Sequence, residues 1–299
     1  MPYSSRNYQS EADYELLRQF LIQTLPLTTP PLNLTIGDLD WWRAKANDPD
    51  VMSKVKLWFD DLGTLIAFAW PGDAQVDLMI RPNHRKLERT ILPELEEEFR
   101  QSLTAESEKR AFHYWSYEQD AVRNTMLTDL GYQRTDDFLS MNQIALAEKP
   151  SSRMLPVGYT VRSFAGEAEI EARVDVHRAA FHPSKMTVEK HRKVMASPTY
   201  RQDLDLVCQT EAGNLAAYTI VWFDPFNKIG LFEPVGCHPD YQRRGLASAV
   251  MVEGLRRLHD LGATHAYVNS WREDSAGSYT YKALGFELIG RLYEWKKEF

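Results

Sequence analysis

Cysteine is scarce in this chain: 299 residues carry two, Cys208 and Cys237. Two thiols provide neither a disulfide framework nor a cysteine-based metal site, and they fit a reducing compartment, so a cytoplasmic location is expected. Long apolar runs are lacking too. No run reaches the roughly 18 residues needed to span a bilayer, and the polar start MPYSSRNYQSEADYE has no signal-peptide core. No membrane contact is expected. Basic runs are also missing from a chain of net charge −7, which argues against a nucleic-acid partner and favours a neutral or cationic one.

What is present is the balance of a soluble globular protein, 43% hydrophobic and 26% charged. The length exceeds a typical single domain. Read in order, the periodicities predict a strand at Tyr3–Gln9, a helix at Glu11–Gln23 and a second helix at Gly37–Ala46. A Pro-rich loop, residues 25–31, separates the two helices. Strands follow at Lys54–Asp60, Thr64–Trp70 and Gln75–Ile80, then a helix at Arg85–Leu103. A strand at Arg110–Trp115, a helix at Glu118–Leu130 and a strand at Phe138–Ile144 close this half.

Glu148-Lys149-Pro150-Ser151-Ser152-Arg153 then breaks the periodicity as a linker. Beyond it the order begins again. Strand Tyr159–Phe164 leads to helices at Glu167–Phe181 and Thr187–Met195, then strands Leu204–Thr210, Leu215–Phe223 and Ile229–Val235. A helix at Gly245–Leu261, strand His265–Asn269, helix Ser275–Leu284 and strand Glu287–Glu294 finish the chain. The halves can be laid over each other: Pro82 on Pro239, and Gly131-Tyr132 on Gly285-Phe286, landmarks 49 and 46 residues apart. A tandem repeat of about 150 residues is the domain expectation, with 1–147 and 157–299 as domains and 148–156 as linker.

The second half contains the turn Gln242-Arg243-Arg244-Gly245-Leu246-Ala247 between an apolar strand and an amphipathic helix. Glycine at a helix start exposes unpaired N–H groups at the positive end of the helix dipole, which suits a phosphate. The same residues also suit an ordinary strand-to-helix turn with two solvated arginines.

Three features together resemble the GNAT superfamily of acyl-CoA N-acyltransferases. They are that turn, similar to the family's Q/R-x-x-G-x-G/A pyrophosphate loop, the strand Phe232-Glu233-Pro234-Val235-Gly236-Cys237 before it, and Tyr281-Lys282-Ala283-Leu284-Gly285-Phe286, similar to the family's L-Y-x-x-x-G-F close. The resemblance covers roughly residues 157–299. It implies an α/β (α+β) fold of two tandem GNAT-like domains, each a mixed, mostly antiparallel twisted sheet flanked by helices. It also implies acetyl-CoA as co-substrate, held by Val235, Gly236, Cys237, Gln242, Arg243, Arg244, Gly245, Leu246 and Ala247, and no metal.

The chemistry implied is acetyl transfer to a primary amine by direct attack in a ternary complex. A free alkyl ammonium has a pKa of about 10.4 and must lose a proton to attack. Glu233, where many family members carry an acidic residue facing the acceptor, is the expected base; a surface strand glutamate is the plainer alternative. Tyr281 is the expected acid for the CoA thiolate. A thiol pKa of about 8.5 against about 10 for tyrosine makes that transfer uphill by roughly 2 kcal/mol, a gap for local tuning to close. Where family members often carry Asn, seven residues before the tyrosine, this chain has Asp274, with Asn269 and Ser275 nearby. Cys237, His238 and His265 have no metal-ligand spacing. A catalytically silent acyl-CoA-binding module is the alternative function.

In the first half the aligned turn is Arg85-Lys86-Leu87-Glu88-Arg89-Thr90, with Glu88 in the place of the glycine, and Leu127 stands where the tyrosine would be. A carboxylate at the helix start repels pyrophosphate. This half is therefore expected to be a degenerate copy, in a layout similar to that of the mycothiol synthase family.

Overall fold

The structure, a computed structural model, describes residues 3–28, 31, 34–72, 74–103 and 110–299. In chain order the elements are β1 (Tyr3–Asn7), α1 (Glu11–Thr24), α2 (Ile36–Lys45), α3 (Val51–Lys54), β2 (Lys56–Asp60), β3 (Leu65–Pro71) and β4 (Val76–Ile80). Next come α4 (Glu88–Ser102), β5 (Ala111–Tyr117), α5 (Ala121–Asp129), β6 (Gln133–Ala145), β7 (Tyr159–Ser163), α6 (Ile170–Ala180) and α7 (Val188–Met195). The last are β8 (Asp205–Thr210), β9 (Leu215–Asp224), β10 (Ile229–Cys237), α8 (Leu246–Asp260), β11 (His265–Trp271), α9 (Ala276–Ala283) and β12 (Glu287–Glu298). Apart from the short helix α3, which the sequence reading does not contain, the order follows that reading. Part of the Pro-rich loop, residues 29 and 30, lies outside the described residues.

The chain divides into two compact units: one of residues 3–34, 48–140 and 290–299, the other of Thr35–Asn47 and Met141–Ile289. In the first, β1, β2, β3 and β4 pair antiparallel in that order, and Leu292–Glu298 of β12 pairs antiparallel with β5. Its core joins Trp58, Ile66, Leu78, Ile91, Tyr114, Leu127 and Trp295. Trp295 explains why the last ten residues group here rather than with the half that precedes them: the side chain buries its surface in this core, and burying one large aromatic outweighs sequence proximity.

In the second unit β7, β8, β9 and β10 are antiparallel neighbours, and β10 runs parallel to β11. The pairings given for the first unit are all antiparallel, and the second is a mixed, mostly antiparallel sheet; helices flank both. Helix α8 packs on one face, where Met251, Leu255 and Leu258 meet Phe232 and Val268. Helices α6, α7 and α2 cover the other. Helix α2 comes from the first half of the sequence, and its local chemistry shows why it settles in this unit. Thr35 and Asp38 form a capping box, with Thr35 Oγ1 accepting from the Asp38 N–H at 3.1 Å and the Asp38 carboxylate accepting from the Thr35 N–H at 2.8 Å. Trp41 and Ala44 bury against Val174, Ile220, Trp222 and Leu231. The buried Asp40 carboxylate accepts the Thr199 N–H at 2.7 Å. Gly37 allows the close approach, because a Cβ there would stand 2.3 Å from Trp222 Cβ.

No helix among the described residues is long and apolar enough to cross a membrane.

Candidate active site

Strand β10 carries the centre of the site. Its parallel ladder with β11 ends at the pair Phe232–Val268, although β11 continues to Trp271. On the other side its register with β9 shifts between Phe232 and Val235, the irregularity expected at Pro234, which has no N–H to donate. Val235, Gly236 and Cys237 therefore present a backbone edge with no β11 partner. That edge fits a thioester and its amide-bearing arm.

Gly236 lies deep. A Cβ there would sit 2.5 Å from Tyr218 Cε1, so the tyrosine ring fills the space a side chain would take. Tyr218 is held in turn by a hydrogen bond of 2.7 Å with His177 Nδ1 and by Arg173, whose guanidinium carbon lies 3.6 Å from its ring centroid. Burial, with the Arg173 and Lys45 charges, pushes the His177 imidazole down to about 3, so it is neutral at neutral pH.

Beyond β10 a single 3-10 turn (Pro239–Tyr241) leads to Gln242, Arg243 and Arg244, all exposed. Arg243 has φ 60 and Gly245 φ 76, and Gly245 is the N-cap of α8. The left-handed cap turns the first N–H groups of α8, from Leu246 and Ala247 onward, outward without intrahelical partners. Arg244 is fixed by donating to the Tyr159 hydroxyl at 2.6 Å and the Asp240 carbonyl at 3.0 Å. Arg153, which the sequence marks only as linker, brings its guanidinium to 3.4 Å from where a Gly245 Cβ would stand. Three guanidinium groups and a helix N-terminus fit a pyrophosphate in charge and in donors.

Glu233 is part-buried on the α2 side of the strand, with its carbonyl accepting from Trp222 Nε1 at 2.6 Å. Lys45 Nζ lies 3.9 Å from its carboxylate. Asp38 hydrogen-bonds it, carboxyl to carboxyl. Desolvation and the Asp38 charge push the Glu233 carboxyl up to about 8, against the opposing pull of Lys45. Asp38 is also raised by burial, while its hydrogen bonds from Thr35 and Glu233 favour its ionised form. Sequence reasoning missed Asp38, Trp41 and Lys45 as site residues. The one local signal was the Thr35-x-x-Asp38 cap, which identifies a helix start and not the strand it will face.

Tyr281, on α9, is buried among Phe232, Phe286 and Val268. No group among the described residues hydrogen-bonds its hydroxyl. Desolvation, then the Glu233 charge, raise that hydroxyl above the ordinary tyrosine value. The expected local tuning thus runs the other way: the tyrosine is made a poorer acid while Glu233 is ionised. Ser275 caps α9 by accepting the Ser278 N–H at 3.2 Å, Asp274 lies 3.9 Å from Arg272 Nε, and Asn269 is exposed. His238 accepts the Asp240 N–H, and Cys237 donates weakly to the His238 carbonyl. Trp222 is core, whereas Phe181, Phe226, Trp271 and Tyr279 are exposed.

In the first unit the aligned turn is closed by its own charges. Glu88 is buried and pairs with Arg85 at 3.0 Å and with Arg123 of α5, and Arg85 pairs with Asp120 at 2.7 Å. Leu127 is core.

Comparison with known proteins finds similar chains. The acetyltransferase (GNAT) family matches residues 174–286. A mycothiol acetyltransferase of Saccharomonospora viridis is 24% identical over 230 residues, 73% of this chain and 72% of that protein. One from Propionibacterium freudenreichii is 27% identical over 184 residues, 59% of this chain and 58% of that protein. Among solved structures, an N-acetyltransferase from Sphaerobacter thermophilus superposes with a TM-score of 0.70 at 18% identity, covering 99% of this chain and 95% of that one. A tandem GNAT protein from the clavulanic acid biosynthesis pathway gives 0.70 at 14% identity, covering 99% and 98%. The match to the acetyltransferase (GNAT) family thus falls within the second unit, and the fold of the chain is similar to that of a tandem GNAT protein.

Proposed function

We propose that the second unit transfers an acetyl group from acetyl-CoA to the primary amine of a small molecule, by direct attack in a ternary complex. The observation that carries this reading is the carboxyl of Glu233, poised at about 8, on the strand whose next residues, Val235–Cys237, leave their edge open. Backbone N–H groups of that edge orient the thioester, and the α8 N-terminus with Arg153, Arg243 and Arg244 holds the pyrophosphate. Ionised Glu233 takes a proton from the acceptor ammonium, and a base with a pKa near the working pH is well matched to that task. The amine nitrogen then bonds to the carbonyl carbon, the C–S bond breaks, and Tyr281 gives its proton to the leaving thiolate.

The two groups are coupled. The Glu233 charge raises the Tyr281 hydroxyl. When Glu233 takes the amine proton that charge vanishes, and Tyr281 becomes a better acid at the step that needs one. The first unit, with its turn closed by Glu88 and Arg123, does not bind acetyl-CoA and serves a structural or acceptor-shaping role. The acceptor side of the second unit combines two carboxyl groups with indole and phenyl rings, which favours a cationic amine.

An acetyl-CoA thiol-release screen tests the reading. It runs across polyamines, amino acids, aminoglycosides and peptide N-termini, headed by the mycothiol-related acceptors that the relatives' name points to. Thiol release with one acceptor class, lost in Glu233→Gln, is expected. Thermal protection by CoA with no thiol released by any amine would replace the enzyme with a silent CoA-binding module.

A further inference from the structure

Lys45 is the last residue of α2, its side chain 44% exposed, and its Nζ stands 3.9 Å from Glu233 Oε1 and 5.5 Å over the Trp41 ring centroid. A lysine side chain is a primary alkyl amine, the same class of group as the proposed acceptor. Other lysines of this chain are engaged elsewhere: Lys54 by Asp48 at 2.6 Å, Lys149 by Asp260 at 2.5 Å, and Lys190 by Asn47. Lys45 alone among these is placed beside the proposed base. Its position at the helix end leaves the four-carbon stem free of a following turn, and the indole face steadies the ammonium.

From this geometry we infer that Lys45 is an internal acceptor: the protein acetylates its own Lys45 Nζ at the Glu233 site. The inference rests on the acetyl-transfer reading above. The Lys45 ammonium loses one proton to Glu233, which passes it to solvent. The freed nitrogen bonds to the thioester carbonyl carbon and the C–S bond breaks. The CoA thiolate takes the Tyr281 proton, and the nitrogen's second proton replaces it on Tyr281. The products are an acetamide on Lys45, CoA thiol and one proton in solvent. A tethered amine needs no bimolecular encounter, so it is acetylated when no better acceptor fills the site.

The modification has a consequence for the enzyme. Acetylation removes the Lys45 charge, which otherwise holds the Glu233 carboxyl down. Modified protein therefore carries a base of higher pKa, and its activity rises at higher pH than that of the unmodified protein.

The full chain is incubated with acetyl-CoA and no added amine, and acetylation at every lysine is followed by peptide mass spectrometry. Wild type is compared with Glu233→Gln, Tyr281→Phe and Lys45→Arg, and thiol release with added spermidine and glucosamine is measured in parallel. Lys45 is expected to gain an acetyl group at least about 10²-fold faster than Lys54 or Lys149, the increment of a positioned general base. Glu233→Gln and Tyr281→Phe should each slow it by a similar factor, and Lys45→Arg should abolish the amine-free thiol release. Acetylation of Lys45 no faster than of Lys54, or unchanged in both Glu233→Gln and Tyr281→Phe, would show solution chemistry and overturn the inference. Thiol release with an added amine while Lys45 stays unmodified overturns it but leaves the enzymatic reading standing. Neither thiol release nor acetylated Lys45 overturns both.

Discussion

Glu233 and Asp38 hydrogen-bond carboxyl to carboxyl, although one lies on β10 and the other on a helix from the opposite half of the sequence. Burial, together with the Asp38 charge, raises the Glu233 carboxyl to about 8. Activity that depends on ionised Glu233 should therefore rise with pH through about 8. In Asp38→Asn the neighbouring charge is lost, so this rise should move to lower pH. In Lys45→Gln the stabilising cation is lost, so it should move to higher pH. A kcat/KM profile against pH reads both, and a shift of the same sign in the two variants contradicts the assignment.

Stability should carry the same signature. The Glu233 carboxyl is raised from 4.5 to about 8 in the folded protein. A group raised in the folded state contributes stability that is fully present below its unfolded pKa and is lost as pH rises through its folded one. Glutamine stays neutral throughout. Glu233→Gln is thus expected to gain in Tm over wild type as pH rises from 4.5 to about 8 and to level off above that, as scanning calorimetry would show.

Tyr281→Phe should lower kcat by about 10²-fold, with KM and Tm little changed, since only an unpartnered hydroxyl is removed. Steady-state kinetics on the true acceptor checks this. Unchanged turnover removes the acid role.

The two glycines of the co-substrate path should fail differently. Gly245→Ala puts a side chain on a backbone with φ 76, which costs roughly 1–2 kcal/mol, and crowds Arg153 at 3.4 Å. Its main effect should be a KM for acetyl-CoA raised by about tenfold, the equivalent of ~1.4 kcal/mol. Gly236→Ala drives a methyl group into Tyr218 and should cost about 1–3 kcal/mol of stability. Thermal denaturation of Gly236→Ala checks this, and an unchanged Tm contradicts the clash.

The first unit should bind no CoA, so calorimetry is expected to find one equivalent per chain. Removing Glu88 strands the buried Arg123 guanidinium. Glu88→Ala should then destabilise the first unit by about 3–5 kcal/mol without opening a second site. Two equivalents of CoA would sink the idea of a closed copy.

The elements themselves were legible because their signals are local. Apolar spacing placed α8 and the strands on either side of it, Gly245 marked the helix start, and Pro234 marked the break in the ladder. Thr187 and Ser275, the first residues of two predicted helices, cap those helices in the structure. What was not legible is which helix faces which strand. Asp38, Trp41 and Lys45 sit in an ordinary capped amphipathic segment, and nothing within ten residues of them points to Glu233.

By itself, then, the sequence determined the order of the longer elements, the helix start at Gly245 and the loss of that turn's glycine at Glu88. These follow from backbone sterics and short-range periodicity, which need no partner. Only the tertiary structure decided that Thr35–Asn47 joins the second unit and Gly290–Phe299 the first, and that Asp38 and Lys45 set opposite pulls on Glu233. The reason is physical: burial of Trp41 against Trp222 and of Trp295 against the first core is a long-range gain, and carboxyl pKa values depend on neighbours that such burial brings together.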